Sequence, residues 1–171
     1  MSRKGPTKSR KIKPDAIYGS VLLNRIINYS MKSGKKSATR KQVYLALKLI
    51  KKQANLSTVE GDRSPARGEP ILLLEQAIDN IKPKIEVRPR RIGGAVYQVP
   101  RPVSSRRQLS LSIRWLVNSA RARPSKQYHG FGEKLAAEIL SAFENEGSAI
   151  NKKLEIEKMA EANKAFSHLR W

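Results

Sequence analysis

Apolar residues recur along this 171-residue chain at helical spacing in most places and at strand spacing in one. Val21, Leu22, Leu23, Ile26, Ile27 and Met31 mark a first helix, with Ser20 as its N-cap and Gly34 at its stop. Val43, Tyr44, Leu47, Ile50 and Ala54 mark a second, opening at Ser37. Pro70 suits the first turn of a third helix, whose stripe is Ile71, Leu74, Ala77, Ile78 and Ile81 and which Pro83 ends. Leu109, Ile113, Leu116, Val117 and Ala120 mark a fourth, capped by Ser104 or Ser105. A fifth spans 133–146 through Leu135, Ile139, Leu140 and Phe143, with Gly147 closing it. Ser148 caps a sixth that runs to about Phe166.

Between the third and fourth helices the period changes. Ile85, Val87, Val96, Tyr97 and Val99 are strand formers on either side of Gly93-Gly94, which supply the positive φ of a tight hairpin turn. The pattern predicts a mainly α fold, with six helices and a two-stranded β-hairpin arm at about 84–102. Residues 55–70 are rich in Ser, Thr, Gly, Asp, Pro and Arg and read as an insertion loop. Residues 1–19 read as a basic N-terminal arm and 20–171 as a single helical domain.

Charge changes the picture from fold to function. The chain has 35 Lys and Arg against 14 Asp and Glu, a formal net charge of +21. Residues 1–132 carry 29 basic and 7 acidic side chains, while 133–171 carry 6 and 7. No acid stands between Glu86 and Glu133. That interval holds Arg88, Arg90, Arg91, Arg101, Arg106, Arg107, Arg114, Arg121, Arg123 and Lys126. Arg107, Arg114 and Arg121 are seven apart, so they form a ridge on a face other than the core stripe. The arm adds Arg3, Lys4, Arg10, Lys11 and Lys13. Such self-repulsion calls for a polyanion, nucleic acid first.

Catalytic and cofactor chemistry finds little support. There is no cysteine, and His129 and His168 have no metal-ligand spacing. Ser33-Gly34-Lys35-Lys36-Ser37 looks like the end of a phosphate-binding loop, but position 29 is Tyr and no strand precedes it. It reads as a basic turn at a helix start, able to contact phosphate. A nuclease needs carboxylates inside the basic region to hold metal, and that region lacks them. No cofactor and no enzymatic activity are expected. No apolar run approaches the ~20 residues of a membrane span.

Three stretches carry a resemblance. Arg90-Arg91-Ile92-Gly93-Gly94-Ala95-Val96-Tyr97-Gln98-Val99-Pro100, Ser112-Ile113-Arg114-Trp115-Leu116-Val117 and Met159 through Trp171 resemble the signatures of the small-subunit ribosomal protein seven family. Lys13-Pro14-Asp15 and Gly34-Lys35-Lys36-Ser37 are similar to its N-terminal motifs. The resemblance implies a six-helix bundle with a protruding hairpin between helices three and four. It implies a primary binder of 16S-type rRNA that organises the subunit head, the 3′ major domain, and sets the hairpin by the mRNA exit channel and exit-site tRNA. Implied neighbours are small-subunit proteins nine, eleven, thirteen and nineteen. By charge and motif position, the RNA-binding candidates are the arm residues named above, Lys35, Lys36, Arg88, Arg90, Arg91, Arg101, Arg106, Arg107, Arg114, Arg121, Arg123, Lys152 and Lys153. The 55–70 loop is longer than expected of a bacterial member, and with the end at Trp171 this resembles plastid-encoded members. A plastid is the favoured compartment, ahead of a bacterial cytoplasm or a mitochondrion. The runner-up reading is an architectural DNA binder, with the ribbon in a minor groove and Pro89 or Ile92 wedging a base step.

Overall fold

The computed structural model describes residues 11–57 and 69–169, together with Gly5. Arg3, Lys4, Arg10 and most of the 55–70 loop lie outside the described residues. The helices are α1 (Val21–Ser30), α2 (Lys36–Ser57), α3 (Pro70–Ile81), α4 (Ser105–Ala122), α5 (Phe131–Phe143) and α6 (Ser148–Ala162). Strands β1 (Ile85–Ile92) and β2 (Ala95–Pro102) lie between α3 and α4. A 3-10 helix over Lys164–Leu169 follows α6.

Each helix forms where an apolar face meets suitable ends. The Ser20 hydroxyl accepts the Leu23 amide at 3.3 Å and starts α1. Pro70 stands at the first position of α3, where its missing N–H costs nothing. Glu133 reaches back to the His129 amide at 2.9 Å and closes the start of α5. Helix α5 is the centre of the bundle and touches α2, α3, α4 and α6. Its Leu135 and Ile139 are buried beside Leu47 and Ile50 of α2, Leu74 and Ile78 of α3, and Leu116 and Val117 of α4 in one core. Full burial of each such Leu or Ile side chain contributes about 1.5–3 kcal/mol. The approach of α5 to α2 requires a glycine. A Cβ on Gly132 would stand 2.7 Å from both the Gln42 carbonyl oxygen and Leu45 Cδ2.

Several sequence expectations change: α5 spans Phe131–Phe143 in place of 133–146, and Gly147, with φ of 92°, stands at the N-cap of α6 where Ser148 was expected. Val21 was expected on the core face of α1, yet it is 40% exposed; Leu23, Ile26, Ile27 and Ser30 hold the buried side, leaving Val21 at the rim. The sixth helix was expected to reach Phe166, but α6 stops at Ala162. There the Met159 carbonyl accepts both the Asn163 backbone amide at 3.2 Å and its side-chain amide at 2.8 Å, and the chain goes on as 3-10 turns. Trp115, whose place the sequence leaves open, is half-buried against the core.

The hairpin is in register from Ile85 opposite Pro102 to Ile92 opposite Ala95. Gly93 and Gly94 have φ of 55° and 93°, the two positive values that a two-residue turn between twisted strands demands. Eight residues per strand give a ribbon roughly 27 Å long. Two contacts tie it to the rest of the fold, one near its base and one near its turn. Glu86 accepts Nε–H bonds from Arg88 and from Arg107 of α4, both at 2.6 Å. Tyr97 of β2 meets Phe166 of the 3-10 helix with ring centroids 5.3 Å apart.

A second ionic junction lies inside the bundle. Glu138 of α5 is fully buried. One carboxylate oxygen accepts Arg123 Nε–H at 2.7 Å, and the other accepts the Ala149 amide at 3.0 Å. Arg123 also donates to Ser141 Oγ at 2.9 Å and lies over the Tyr128 ring at 5.6 Å. This cluster fastens the end of α4 and the start of α6 to α5.

Removing one partner of a buried pair leaves the other charge uncompensated. Arg123→Ala is therefore expected to lower the unfolding free energy by about 3–5 kcal/mol, read from urea denaturation. A second expectation concerns pH. Burial raises the Glu86 pKa, but the hydrogen bonds and charge of Arg107 and Arg88 outweigh it and hold the carboxyl below its ordinary 4.5. A depressed folded pKa gives stability that is present above the unfolded value and is lost as pH falls through the folded one. The stability gap between the natural chain and Glu86→Gln should be full at neutral pH and shrink below 4.5. Denaturant titrations across that range measure it.

Candidate nucleic-acid interface

The candidate basic residues gather on α4 and the hairpin, with Arg25 of α1 and the lysines at the start of α2 beside them. Arg107 and Arg121 are fourteen residues apart on α4, so the ridge between them is roughly 21 Å long. At one end Arg107 joins the hairpin base through Glu86. In the middle, Arg114 lies 6.0 Å from the ring centre of Tyr29, near the end of α1. At the other end Arg121 Nη2 donates to the Ser30 carbonyl at 2.9 Å. The ridge is thus laid against α1 and is held in place by it.

A groove opens on each side of this line. The first, of about 690 Å³, is lined by Lys11, Arg25, Tyr29 and Arg106 over the apolar rim of Val21 and Ile113. The second, of about 570 Å³, is lined by Lys32, Lys35, Lys41, Arg121, His129 and Lys134. Its wall is the turn between α1 and α2, where Ser33 and Gly34 take φ of 50° and 72° and project Lys35 outward. Among the described residues, neither groove is lined by a carboxylate. Such walls concentrate positive potential and suit a phosphate backbone.

The expected RNA-binding residues divide by geometry. Lys11, Lys13, Lys35, Arg88, Arg91, Arg106, Arg107, Arg114 and Lys152 are exposed, and Lys36, Arg90, Arg101 and Arg121 are half-buried. Lys152 pairs with Glu155 at 2.7 Å across one helical turn. Lys153 donates to the Asn80 carbonyl at 2.8 Å and so braces α6 on α3. Arg123 turns inward to Glu138.

The sequence reading missed Arg25, Lys32, Arg40, Lys41 and Lys134. Arg25 and Arg40 each have a buried Nε without a hydrogen-bond partner. Arg25 lines the first groove, where its unmatched N–H is a donor available to an acceptor. Arg25 was legible in principle, because it stands four residues before Tyr29 on one helix and the two share a face. Lys134 joins Lys32 only through the packing of α5 against the start of α2.

The family model described as ribosomal protein S7p/S5e matches residues 2–164. The small ribosomal subunit protein uS7 of Rubrobacter xylanophilus is 50% identical over 171 residues, covering 100% of each chain. Those of Lawsonia intracellularis and Dictyoglomus turgidum are 50% and 47% identical, again over 171 residues and 100% of each chain. These relatives are bacterial and lend no support to the plastid compartment expected from the sequence. A match that runs from the basic arm through the hairpin and into the last helical segment leaves one conclusion: the chain belongs to the ribosomal protein S7p/S5e family.

Proposed function

We propose that the protein is a structural component of the small ribosomal subunit that binds 16S-type rRNA and organises the head of the subunit. The observation that carries this reading is the cationic band: an arginine ridge on α4, flanked by two carboxylate-free grooves and continued by the hairpin. RNA phosphates supply the negative charge that the band lacks. Binding is then electrostatic in strength and directed by RNA shape. Tyr29, 38% exposed beside Arg114, offers a ring on which an unpaired base can stack. The body and the arm hold the rRNA, while the hairpin, tied to α4 through Glu86 and to the 3-10 helix through Tyr97, carries its Gly93-Gly94 turn toward exit-site tRNA and the mRNA exit channel. Small-subunit proteins nine, eleven, thirteen and nineteen are the proposed protein neighbours. No cofactor and no catalytic step enter this role.

Two measurements test the reading. If about ten phosphates are neutralised, log K for a head-domain rRNA fragment falls with log salt at a slope of roughly −7 to −9. A slope near −2, or a preference for duplex DNA over the rRNA fragment, would favour the architectural DNA reading instead. Replacing Arg90 and Arg91 together with Ala should weaken crosslinks to RNA at the exit channel while leaving the helical circular dichroism signal unchanged. Loss of that signal would mean the hairpin is part of the core and not an arm.

A further inference from the structure

The segment that joins the basic arm to α1 is fastened far more tightly than a solubilising tail needs. Asp15 is only 4% exposed. Its carboxylate accepts the Tyr44 hydroxyl at 2.8 and 2.9 Å and the backbone amides of Ile17 and Tyr18 at 3.2 and 3.3 Å. The Asp15 amide donates to the Ser20 carbonyl at 3.2 Å, and its own carbonyl accepts the Gly19 amide at 3.0 Å. Tyr18 packs edge-on against the Tyr44 ring at 5.5 Å. Two residues earlier, the Asn24 side-chain amide donates to the Lys13 carbonyl at 2.7 Å. Asp15 is thus tied to α2 and Lys13 to α1.

These ties set a direction. Just before the pinned Lys13, Lys11 and Ile12 lie in the groove with Arg25, Tyr29 and Arg106. We propose that Asp15, Tyr44 and Asn24 form a latch that fixes Lys11, Ile12 and Lys13, where the basic arm joins the body, along the α1–α4 groove. Lys11 and Lys13 then meet RNA as an extension of the body's cationic band. This rests on the proposed RNA binding. It adds three uncharged or acidic positioning residues that no count of cations would select. The physical gain is preorganisation: a path already ordered in the free protein does not have to be ordered on binding.

The latch predicts an interaction between substitutions that a purely structural role does not. Tyr44→Phe keeps the ring and removes the hydroxyl, while Asn24→Ala releases Lys13. Both are made in the full chain, and again in a full chain with Lys11→Gln and Lys13→Gln. Affinity for a head-domain rRNA fragment is measured by filter binding. With the natural arm, each latch substitution should weaken binding by roughly tenfold. With Lys11 and Lys13 neutralised the same substitution should change it less than about twofold. Equal losses in both backgrounds, or no loss in either, would overturn the latch.

Limited trypsin digestion of the free protein gives an independent reading. Cleavage after Lys11 should accelerate in both latch variants, and an unchanged rate would equally overturn the proposal. Should Asn24→Ala fail to fold, Tyr44→Phe decides alone. If the unsubstituted chain shows no preference for the rRNA fragment, the functional reading fails, and the latch's consequence for RNA fails with it. Digestion still reports whether the arm is held.

Discussion

Three carboxylates hold together a chain that is otherwise strongly cationic. Asp15 joins the exit of the arm to α2 through Tyr44. Glu86 joins the hairpin to α4 through Arg107. Glu138 joins the end of α4 and the start of α6 to α5 through Arg123 and the Ala149 amide. Each lies at a junction between elements, and each is shielded from solvent. Position matters because salt weakens ion pairs in open water, while shielded ones keep most of their attraction. With 14 acids against 35 bases, the chain cannot pair its cations generally. The acids at the joints leave the remaining cations on the outside.

The consequence for function is geometric. The α4 ridge, the hairpin and the segment from Lys11 to Asp15 are separate pieces of sequence, but side-chain contacts fasten them to one helical bundle. Arg107 belongs to the ridge and to the hairpin tie at once. Phe166 supports the hairpin from the far end of the chain through Tyr97. Cations held at fixed spacing meet an RNA backbone with less ordering cost than the same cations on flexible segments. This favours recognition by shape, since a fixed array fits some folded RNA surfaces and not others.

The elements were legible from the chain because their cause is local. A buried helix face repeats every 3.6 residues and a strand face every two, so six helices and one hairpin can be read from apolar spacing alone. Gly93-Gly94 announced its turn for the same reason: the conformation belongs to those two residues. Errors fell at the ends, at Val21 and beyond Ala162, where one exposed position or a change to 3-10 turns outweighs the period. The band of positive charge was legible as well, since the absence of acid from 87 to 132 is a property of sequence.

Which cations face outward was settled only by the tertiary structure. Arg106 and Arg123 read alike in the chain, yet one lines a groove and the other turns to a buried glutamate fifteen residues away. Lys32 and Lys134 share a groove although about a hundred residues separate them. Asp15 read as part of a motif, and its Tyr44 partner read as core. The chain determined its helices, its hairpin and its excess of positive charge, because backbone period and composition are local quantities. The fold decided how that charge is divided between joints and surface, because a pairing depends on distances between side chains that only packing brings together.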